Sequence, residues 1–262
     1  MTASVQIGAP IWLIGCGNMG GALLRRWLAE GLGPVAVIDP AARNLPPGVE
    51  ASARPPAEGK PDIVVLAVKP QAWAQAVLPL AGRLGPLTLV ISVMAGVRTE
   101  DLARLFPGAG IVRAMPNTPS AVGQGATALF TRDGDIVQGA AEALFQPVGQ
   151  TIWLSDETQF DAVTAVSGSG PAYVFHFIEA LADAGEAAGL EPAMAMRLAR
   201  QTLIGAAALA AQDGATPAAA LRERVTSPGG TTAAGLSVLM PGLTPLLEQV
   251  VAAAAERSRE LG

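Results

Sequence analysis

Short apolar runs alternate with helix-like segments through the first half of the chain. Five runs rich in Val, Ile and Leu are predicted as strands, at residues 10–14, 35–39, 63–68, 87–92 and 111–115. Helical patterns separate most of them, at residues 19–30, 71–84 and 98–105, and two further strands are predicted at 126–130 and 151–154, around a helix at 136–145. Continuous apolar strands that alternate with helices predict a parallel sheet covered on both faces.

The pattern changes after residue 154, and no convincing strand follows it. Helices are predicted at residues 157–166, 172–188, 192–212, 218–225, 232–239 and 245–261. The sequence therefore predicts an α/β domain over residues 1–154 and an all-helical domain over 155–262. The second domain is rich in alanine and has few large side chains, so we expect a partner subunit to complete its core in a homodimer. A small self-contained bundle is the alternative.

Composition excludes several classes of function. The net charge of −5 leaves no basic face for nucleic acid. A single cysteine and a single histidine rule out an internal disulfide and argue against a metal centre. The mean hydropathy of +0.39 is high, but glycines and prolines interrupt the uncharged stretches at residues 2–24 and 225–247. We therefore expect a cytoplasmic protein that does not enter a membrane.

A glycine-rich turn joins the first predicted strand to the first predicted helix. It consists of Gly15, Cys16, Gly17, Asn18, Met19 and Gly20. Such glycines allow a tight turn, close approach of a pyrophosphate to the backbone, and close packing of helix on strand. Asp39 closes the second strand about 20 residues further on, as dinucleotide sites require. The context predicts binding of NADH or NADPH, the alternative being a glycine-rich turn without a ligand.

The choice between the two cofactors depends on Asp39 and Arg43. A 2′-phosphate about 4 Å from Asp39 would be repelled by about 4 kcal/mol at an effective dielectric constant of 20. Arg43 lies four residues beyond and offers a compensating positive charge. On these residues NADH is slightly favoured.

Two more segments end strands on the same edge of the predicted sheet. The first consists of Ala67, Val68, Lys69 and Pro70, and the second of Val93, Met94 and Ala95. Ligands of open α/β sheets bind at this carboxyl edge, so both segments are predicted to contact the cofactor. Lys69 extending only into solvent is the alternative.

Three loops combine small hydroxyl residues with glycine or proline, at residues 113–119, 167–173 and 227–232. Two of them lead directly into predicted helices, where free backbone amides hold an anion without a basic side chain. The alternative is a set of ordinary tight turns. Three such dense loops favour a site for a small carboxylate.

General acids are scarce in this chain. Lysine occurs only at positions 60 and 69, and His176 lies on an apolar helix, where packing or a dimer contact is a more common role than catalysis. Reduction of a ketone needs a proton donor, whereas an imine is basic enough to arrive already protonated. The sequence therefore favours hydride transfer to a C=N bond.

These motifs resemble those of the pyrroline-5-carboxylate reductase family. The resemblance runs from residue 14 to the end of the chain and depends on residues 14–20, 67–70, 113–119, 166–185 and 226–235. It implies a Rossmann domain followed by an all-α dimerisation domain, reduction of 1-pyrroline-5-carboxylate to proline, and an active site between the subunits of a dimer that is often assembled into a decamer.

The resemblance also implies roles for individual residues. Thr232 matches the threonine that hydrogen-bonds the ring nitrogen, and Asn117 lies in the cofactor-side loop. The substrate is expected to contact Ser227, Pro228, Gly229, Gly230, Thr231, Ser167, Gly168 and Ser169. The chain departs from the family at Asp39 and at residues 212–217, where relatives show a glutamate and a His-Pro pair. A β-hydroxyacid dehydrogenase-like reductase and a non-catalytic dinucleotide-binding paralogue are the alternatives.

Overall fold

A computed structural model describes residues 8–80 and 82–261 of the chain. Eight strands form a single sheet in the order β3-β2-β1-β4-β5-β6-β7-β8. The strands are β1 Ile11–Ile14, β2 Val35–Ile38, β3 Ala51–Ser52, β4 Ile63–Leu66, β5 Leu89–Ser92, β6 Gly110–Met115, β7 Gly125–Thr131 and β8 Gly149–Trp153. All pairs are parallel except β6 with β7. The predicted α/β class is confirmed.

Strand β1 shows why the sheet is covered on both faces. All four of its residues are buried, because successive side chains point to opposite faces. Ile11 and Leu13 pack with α1 (Asn18–Ala29) and α4 (Asp135–Phe145), whereas Trp12 and Ile14 pack with residues of α3 (Thr99–Leu105). The carboxyl ends of β1, β2, β4 and β5 therefore meet at one edge, next to the start of α1.

Two features of the first half differ from the prediction. The predicted helix at residues 71–84 is broken into a 3₁₀ turn Pro70–Ala72, a short helix α2 Trp73–Val77 and a second 3₁₀ turn Leu78–Leu80. Pro79 has no backbone N–H to donate, so a continuous helix cannot pass through it without losing a bond. The segment between β2 and β4, for which no strand was predicted, contains the short strand β3, whose backbone pairs with β2.

Helices follow β8, as predicted; the helix at residues 192–212 has the predicted bounds, and the others differ. They are α5 Phe160–Val163, α6 Gly170–Ala187, α7 Pro192–Gln212, α8 Ala218–Arg224 and α9 Thr231–Leu261. The predicted helix at 157–166 is replaced by a 3₁₀ turn Glu157–Gln159, α5, and a π-helical segment Thr164–Gly168. The prediction of two helices at 232–239 and 245–261 is wrong, since α9 continues through Pro241 and Pro245. Each proline withholds one donor, and the bonds on either side continue the helix.

The chain divides into two compact units. Residues up to Gly168 and those from Ala254 onward form the first unit, and Ser169–Ala253 form the second. Within the first unit, the Ser258 hydroxyl donates to the Asp161 carboxylate at 2.7 Å. The boundary predicted after residue 154 marks the end of the strands and stays a prediction.

Helix α9 bears on the expectation that the chain does not enter a membrane. It is long and apolar enough to cross a bilayer, with a mean hydropathy of 1.4 over its most apolar window, of which only 6% is buried. The expectation that prolines and glycines interrupt the stretch 225–247 holds for residues 228–230, which form a turn before α9, but not for Pro241 and Pro245, through which the helix is continuous. The length and composition of α9 are those of a membrane span and equally those of a helix covered by another protein surface.

Candidate cofactor and substrate site

The glycine turn between β1 and α1 has the geometry that its sequence predicts. Gly15 has φ +91°, and a Cβ there would lie 2.6 Å from the Ala67 carbonyl oxygen. A Cβ on Gly20 would lie 2.3 Å from the Gly15 carbonyl oxygen. Any larger residue at either position would push β1, β4 and α1 apart. Glycine is therefore required at both positions by close backbone packing.

Gly17 has a different role, because a Cβ there would meet nothing within 4 Å. It is the N-cap residue of α1, and no side chain caps this helix in the region that the structure describes. The amides of the first helical turn have no carbonyl partner within the helix. The turn thus presents open space beside free N–H groups at the positive end of a helix dipole, which suits the pyrophosphate of a dinucleotide.

Asp39 links the end of β2 to the glycine turn. Its Oδ2 accepts the Cys16 amide at 2.7 Å, and its Oδ1 accepts the Ala41 amide at 2.8 Å. A carboxylate retains further lone pairs for ribose hydroxyls. Burial and the Asp39 carboxylate raise the pKa of the Cys16 thiol, against a smaller lowering effect of Arg25. Cys16 therefore remains a neutral thiol at neutral pH.

The two other predicted cofactor segments reach the same edge. The Ala67 amide donates to the Ile14 carbonyl at 2.7 Å, and the Val93 amide donates to the Leu66 carbonyl at 3.0 Å. Lys69 is exposed, whereas Met94 is 2% exposed and packs in the core. Met94 thus fixes the segment through packing, and the backbone around it faces the edge of the sheet.

Asn117 joins three segments of the first unit. It follows β6 and is 9% exposed. Its Oδ1 accepts the Ala126 amide at the start of β7 at 2.9 Å, and its Nδ2 donates to the Ser167 carbonyl at 3.0 Å. The amide therefore ties the cofactor-side loop to the π-helical segment, a contact that the sequence did not indicate.

The π-helical segment contains two of the predicted substrate residues. The Ser167 hydroxyl donates to the Val163 carbonyl at 3.1 Å. A Cβ on Gly168 would lie 3.1 Å from the Met115 methyl carbon, so glycine permits close packing here. Single π-helical turns occur often at functional sites. Ser169 belongs to the second unit and stands at the N-cap of α6.

The loop before α9 is a tight turn within the second unit. The Gly230 amide donates to the Ser227 carbonyl at 3.1 Å, and Gly229 has φ +70°. A Cβ on Gly230 would lie 2.4 Å from the Ser227 hydroxyl oxygen. Thr232 lies in the exposed first turn of α9. The turn therefore places free amides and hydroxyl groups together at a helix start.

A network of charged side chains, which the sequence did not predict, connects three segments of the first unit. Glu157 accepts the Thr99 amide and the Thr99 hydroxyl, both at 2.8 Å, and the Arg113 guanidinium at 3.1 Å. Arg113 also lies over the Phe160 ring, 4.2 Å from its centroid. Burial would raise the pKa of Glu157, but these hydrogen bonds outweigh burial and lower it. Thr99 before two acidic residues signals a helix start, but nothing local identifies Glu157 as its cap.

The network borders a cavity of about 660 Å³ in the first unit, whose lining includes both signs of charge. Its lining carries four cations and four carboxylates, which are Arg98, Arg113, Arg132 and Arg259, and Glu100, Asp156, Glu157 and Asp161. These charges are balanced, so the cavity shows no preference for an anion or a cation.

Two further positions bear on the predictions. The side chain of His176 is 81% exposed and lies 3.2 Å from Glu179, so it does not pack inside its own chain, and its dimer contact stays a prediction. At the divergent residues 212–217, the Asp213 carboxylate accepts the Thr216 hydroxyl at 2.7 Å and pairs with Arg224. This ion pair joins the end of α7 to the last residue of α8, in a segment where relatives were expected to carry other residues.

Comparison with known proteins agrees with this geometry. A family model described as pyrroline-5-carboxylate reductase dimerisation matches residues 157–261, and one described as NADP oxidoreductase, coenzyme F420-dependent, matches residues 10–96. The pyrroline-5-carboxylate reductase of Pseudomonas aeruginosa is 42% identical over 96% of both chains. The chain belongs to the pyrroline-5-carboxylate reductase family.

Other members of the pyrroline-5-carboxylate reductase family match in sequence and in structure. The Arabidopsis thaliana enzyme is 45% identical over 76% of this chain and 73% of its own. The crystal structure of the Coxiella burnetii enzyme has a TM-score of 0.85 at 35% identity, and covers 97% of this chain and 98% of its own. The NADP-bound Plasmodium falciparum structure has a TM-score of 0.80 at 27% identity, and covers 98% of this chain and 99% of its own. The Rossmann domain followed by a helical dimerisation domain is thereby confirmed.

Within this family fold, the predicted site residues form two groups. The glycine turn, Asp39, residues 67–70, residues 93–95 and Asn117 all belong to the first unit, at or beside the carboxyl edge of the sheet. The loop Ser227–Thr232 and Ser169 belong to the second unit. Their contacts with cofactor and substrate stay predictions.

Proposed function

We propose that this chain reduces 1-pyrroline-5-carboxylate to L-proline by hydride transfer from NADH or NADPH. The observation that carries this proposal is the 42% identity to the Pseudomonas aeruginosa reductase over 96% of both chains. The fold supports it, because an uncapped helix start after a glycine turn suits a dinucleotide. The alternatives of a hydroxyacid dehydrogenase and a non-catalytic paralogue are not favoured.

The residues present fit a nicotinamide dinucleotide. Gly17 leaves space beside the free amides of α1, and Asp39 lies where the adenine ribose is expected. When bound, the reduced nicotinamide supplies the hydride. We propose that Asp39 favours NADH and that Arg43, which is exposed four residues away, permits NADPH as well.

The substrate is an anion and carries a ring nitrogen that is protonated when it reacts. We propose that the amides and hydroxyl groups of Ser227–Thr231 hold its carboxylate. The Thr232 hydroxyl then accepts the N–H of the iminium ring and orients the C=N carbon. Ser167 and Ser169 are further proposed substrate contacts. Because the substrate brings its own proton, orientation and electrostatics suffice and no side-chain acid is needed.

We further propose a cytoplasmic homodimer formed by the helical unit, with dimers assembled into a decamer. Large apolar side chains of this unit are exposed, among them Phe175 (63%), Met194 (51%) and Val238 (80%). Coverage by a second copy removes them from water. On this assembly α9 is a protein-covered helix and not a membrane span.

Steady-state kinetics test the activity. The purified chain should oxidise NADH and NADPH when 1-pyrroline-5-carboxylate is added, as followed by loss of nicotinamide absorbance, and should form proline in equal amount. Activity on a β-hydroxyacid without activity on the imine would identify a hydroxyacid dehydrogenase instead. Cofactor binding without turnover of either substrate would identify a non-catalytic paralogue.

A further inference from the structure

Asn117 stands at the junction of the cofactor edge and the π-helical segment, and its side chain is engaged within the protein. One amide oxygen accepts from β7, and the amide nitrogen donates to the Ser167 carbonyl. At 9% exposure the side chain presents little surface to a ligand. Only an amide of this length supplies a donor and an acceptor at the two ends of one planar group.

The Ser167 peptide is held from both sides. Its hydroxyl donates to the Val163 carbonyl, and its own carbonyl accepts from Asn117. Met115, two residues before Asn117, packs against Gly168 so closely that a Cβ there would lie 3.1 Å from its methyl carbon. The segment after β6 therefore sets the position of residues 167 and 168 through one hydrogen bond and one packing contact.

We propose that Asn117 is a positioning residue that couples the cofactor edge to the substrate pocket by holding the Ser167 carbonyl. This rests on the proposed function, in which Ser167 and Gly168 border the substrate. Asn117 then acts on the imine through Ser167 and has no direct contact with the nicotinamide. A displacement of about 1 Å in a reacting pair lowers rates by as much as 100-fold, so a single clamp at this point is sufficient to control turnover.

The substitution Asn117→Asp removes only the donor. The remaining oxygen still accepts the Ala126 amide, but a carboxylate oxygen now faces the Ser167 carbonyl, and the two repel each other. We expect kcat/KM for the imine to fall between about 10- and 100-fold, while the Kd for NADH, measured by tryptophan fluorescence without substrate, changes by less than about threefold. Hydrogen exchange in peptides covering residues 160–168 should accelerate. Gln124→Glu is an exposed amide-to-carboxylate change in the same loop. It should leave kcat/KM, the Kd for NADH and the hydrogen exchange unchanged.

A Kd for NADH that rises in parallel with the loss of kcat/KM, with exchange unchanged, would show a direct cofactor contact and overturn the proposal. Unchanged kinetics and exchange would overturn it as well. If Asn117→Asp does not fold, Gly168→Ala moves the same segment through Met115, and should show the same loss with the same Kd. Absence of imine reduction by the parent protein would refute the proposed function alone, since the exchange measurement still tests the clamp.

Discussion

At the scale of single residues, the proposed site offers its ligands hydrogen bonds from backbone and hydroxyl groups. Gly15, Gly17 and Gly20 shape the cofactor turn, and each is explained by a distance or a free space. Asp39 is bonded to the turn itself through the Cys16 amide. The reaction proposed for the chain depends on a hydroxyl group at Thr232 and on a carboxylate at Asp39, and substitution separates their effects.

Replacing Thr232 by alanine removes the proposed hydrogen bond to the ring nitrogen. Turnover of 1-pyrroline-5-carboxylate should fall about tenfold or more, since a positioned hydrogen bond is worth about 1.4 kcal/mol or more in the transition state. Thr232→Ser keeps the hydroxyl and should retain most of the activity. Steady-state kinetics at saturating NADH measure the turnover of both variants. Equal activity of the alanine variant and the parent would place the nitrogen contact elsewhere.

Replacing Asp39 by serine removes the negative charge from the proposed adenine-ribose site. The ratio of kcat/KM for NADPH to that for NADH should rise, because the repulsion of a 2′-phosphate is relieved. Asp62→Ser, an exposed change before β4, is the matched control and should leave the ratio unchanged. A ratio that stays constant in Asp39→Ser would remove Asp39 from the ribose site.

At the scale of elements, a residue distant in sequence can supply the side-chain cap that a helix lacks. Helix α3 has no side-chain cap from its own N-cap residue, Arg98, and Glu157 caps it from 58 residues away. The same carboxylate neutralises Arg113, whose side chain is 11% exposed. The start of α3, strand β6 and the 3₁₀ turn before α5 are thus joined by one partly buried ion pair.

Replacing Glu157 by glutamine should lower the stability of the first unit by about 2 kcal/mol at pH 7, since hydrogen bonds to a charged group contribute about 1.5–3 kcal/mol. The folded state lowers the pKa of Glu157. The Glu157 carboxylate therefore stabilises the fold at pH values above its pKa in the unfolded chain, and this stabilisation is lost as pH falls through its pKa in the folded chain. Thermal unfolding at fixed protein concentration should show a large difference from the parent at pH 7 and a small one at acidic pH.

The control for this substitution is Glu100→Gln, in an exposed ion pair with Arg104 on the same helix α3. Exposed pairs contribute about 1 kcal/mol or less. A pH-independent loss of stability in Glu157→Gln would mean that the carboxylate charge is not the source of the effect.

At the scale of the whole molecule, the helical unit leaves apolar surface uncovered. No residue of α9, which the structure describes in full, is buried. Val238 is 80% exposed on this helix, and Met240 is 45% exposed. A second copy of the chain is the occupant that the dimerisation family model supports.

Replacing Val238 by glutamate places a charge in the proposed dimer interface. Light scattering after gel filtration should show dissociation toward monomers, because an unpaired buried charge costs several kcal/mol. Ile136→Glu, an equally exposed position (91%) on α4 of the sheet domain, should leave the assembly intact. A dimer that persists in Val238→Glu would place the interface on another surface.

The sequence by itself determined the elements whose signals are local. Apolar runs defined most of the sheet, and the glycine spacing at residues 15–20 defined the tight turn between β1 and α1. These signals work because strand periodicity and the positive φ of a glycine depend mainly on residues close in sequence.

Tertiary structure decided what depends on partners distant in sequence. Three features became visible only in the folded chain. They are the cap of α3 by Glu157, the hydrogen bond from Asn117 to Ser167, and the continuity of α9 through Pro241 and Pro245. A hydrogen bond across 50 residues leaves no periodic trace in the sequence. Each proline of α9 withholds only one donor, and the bonds on either side continue the helix.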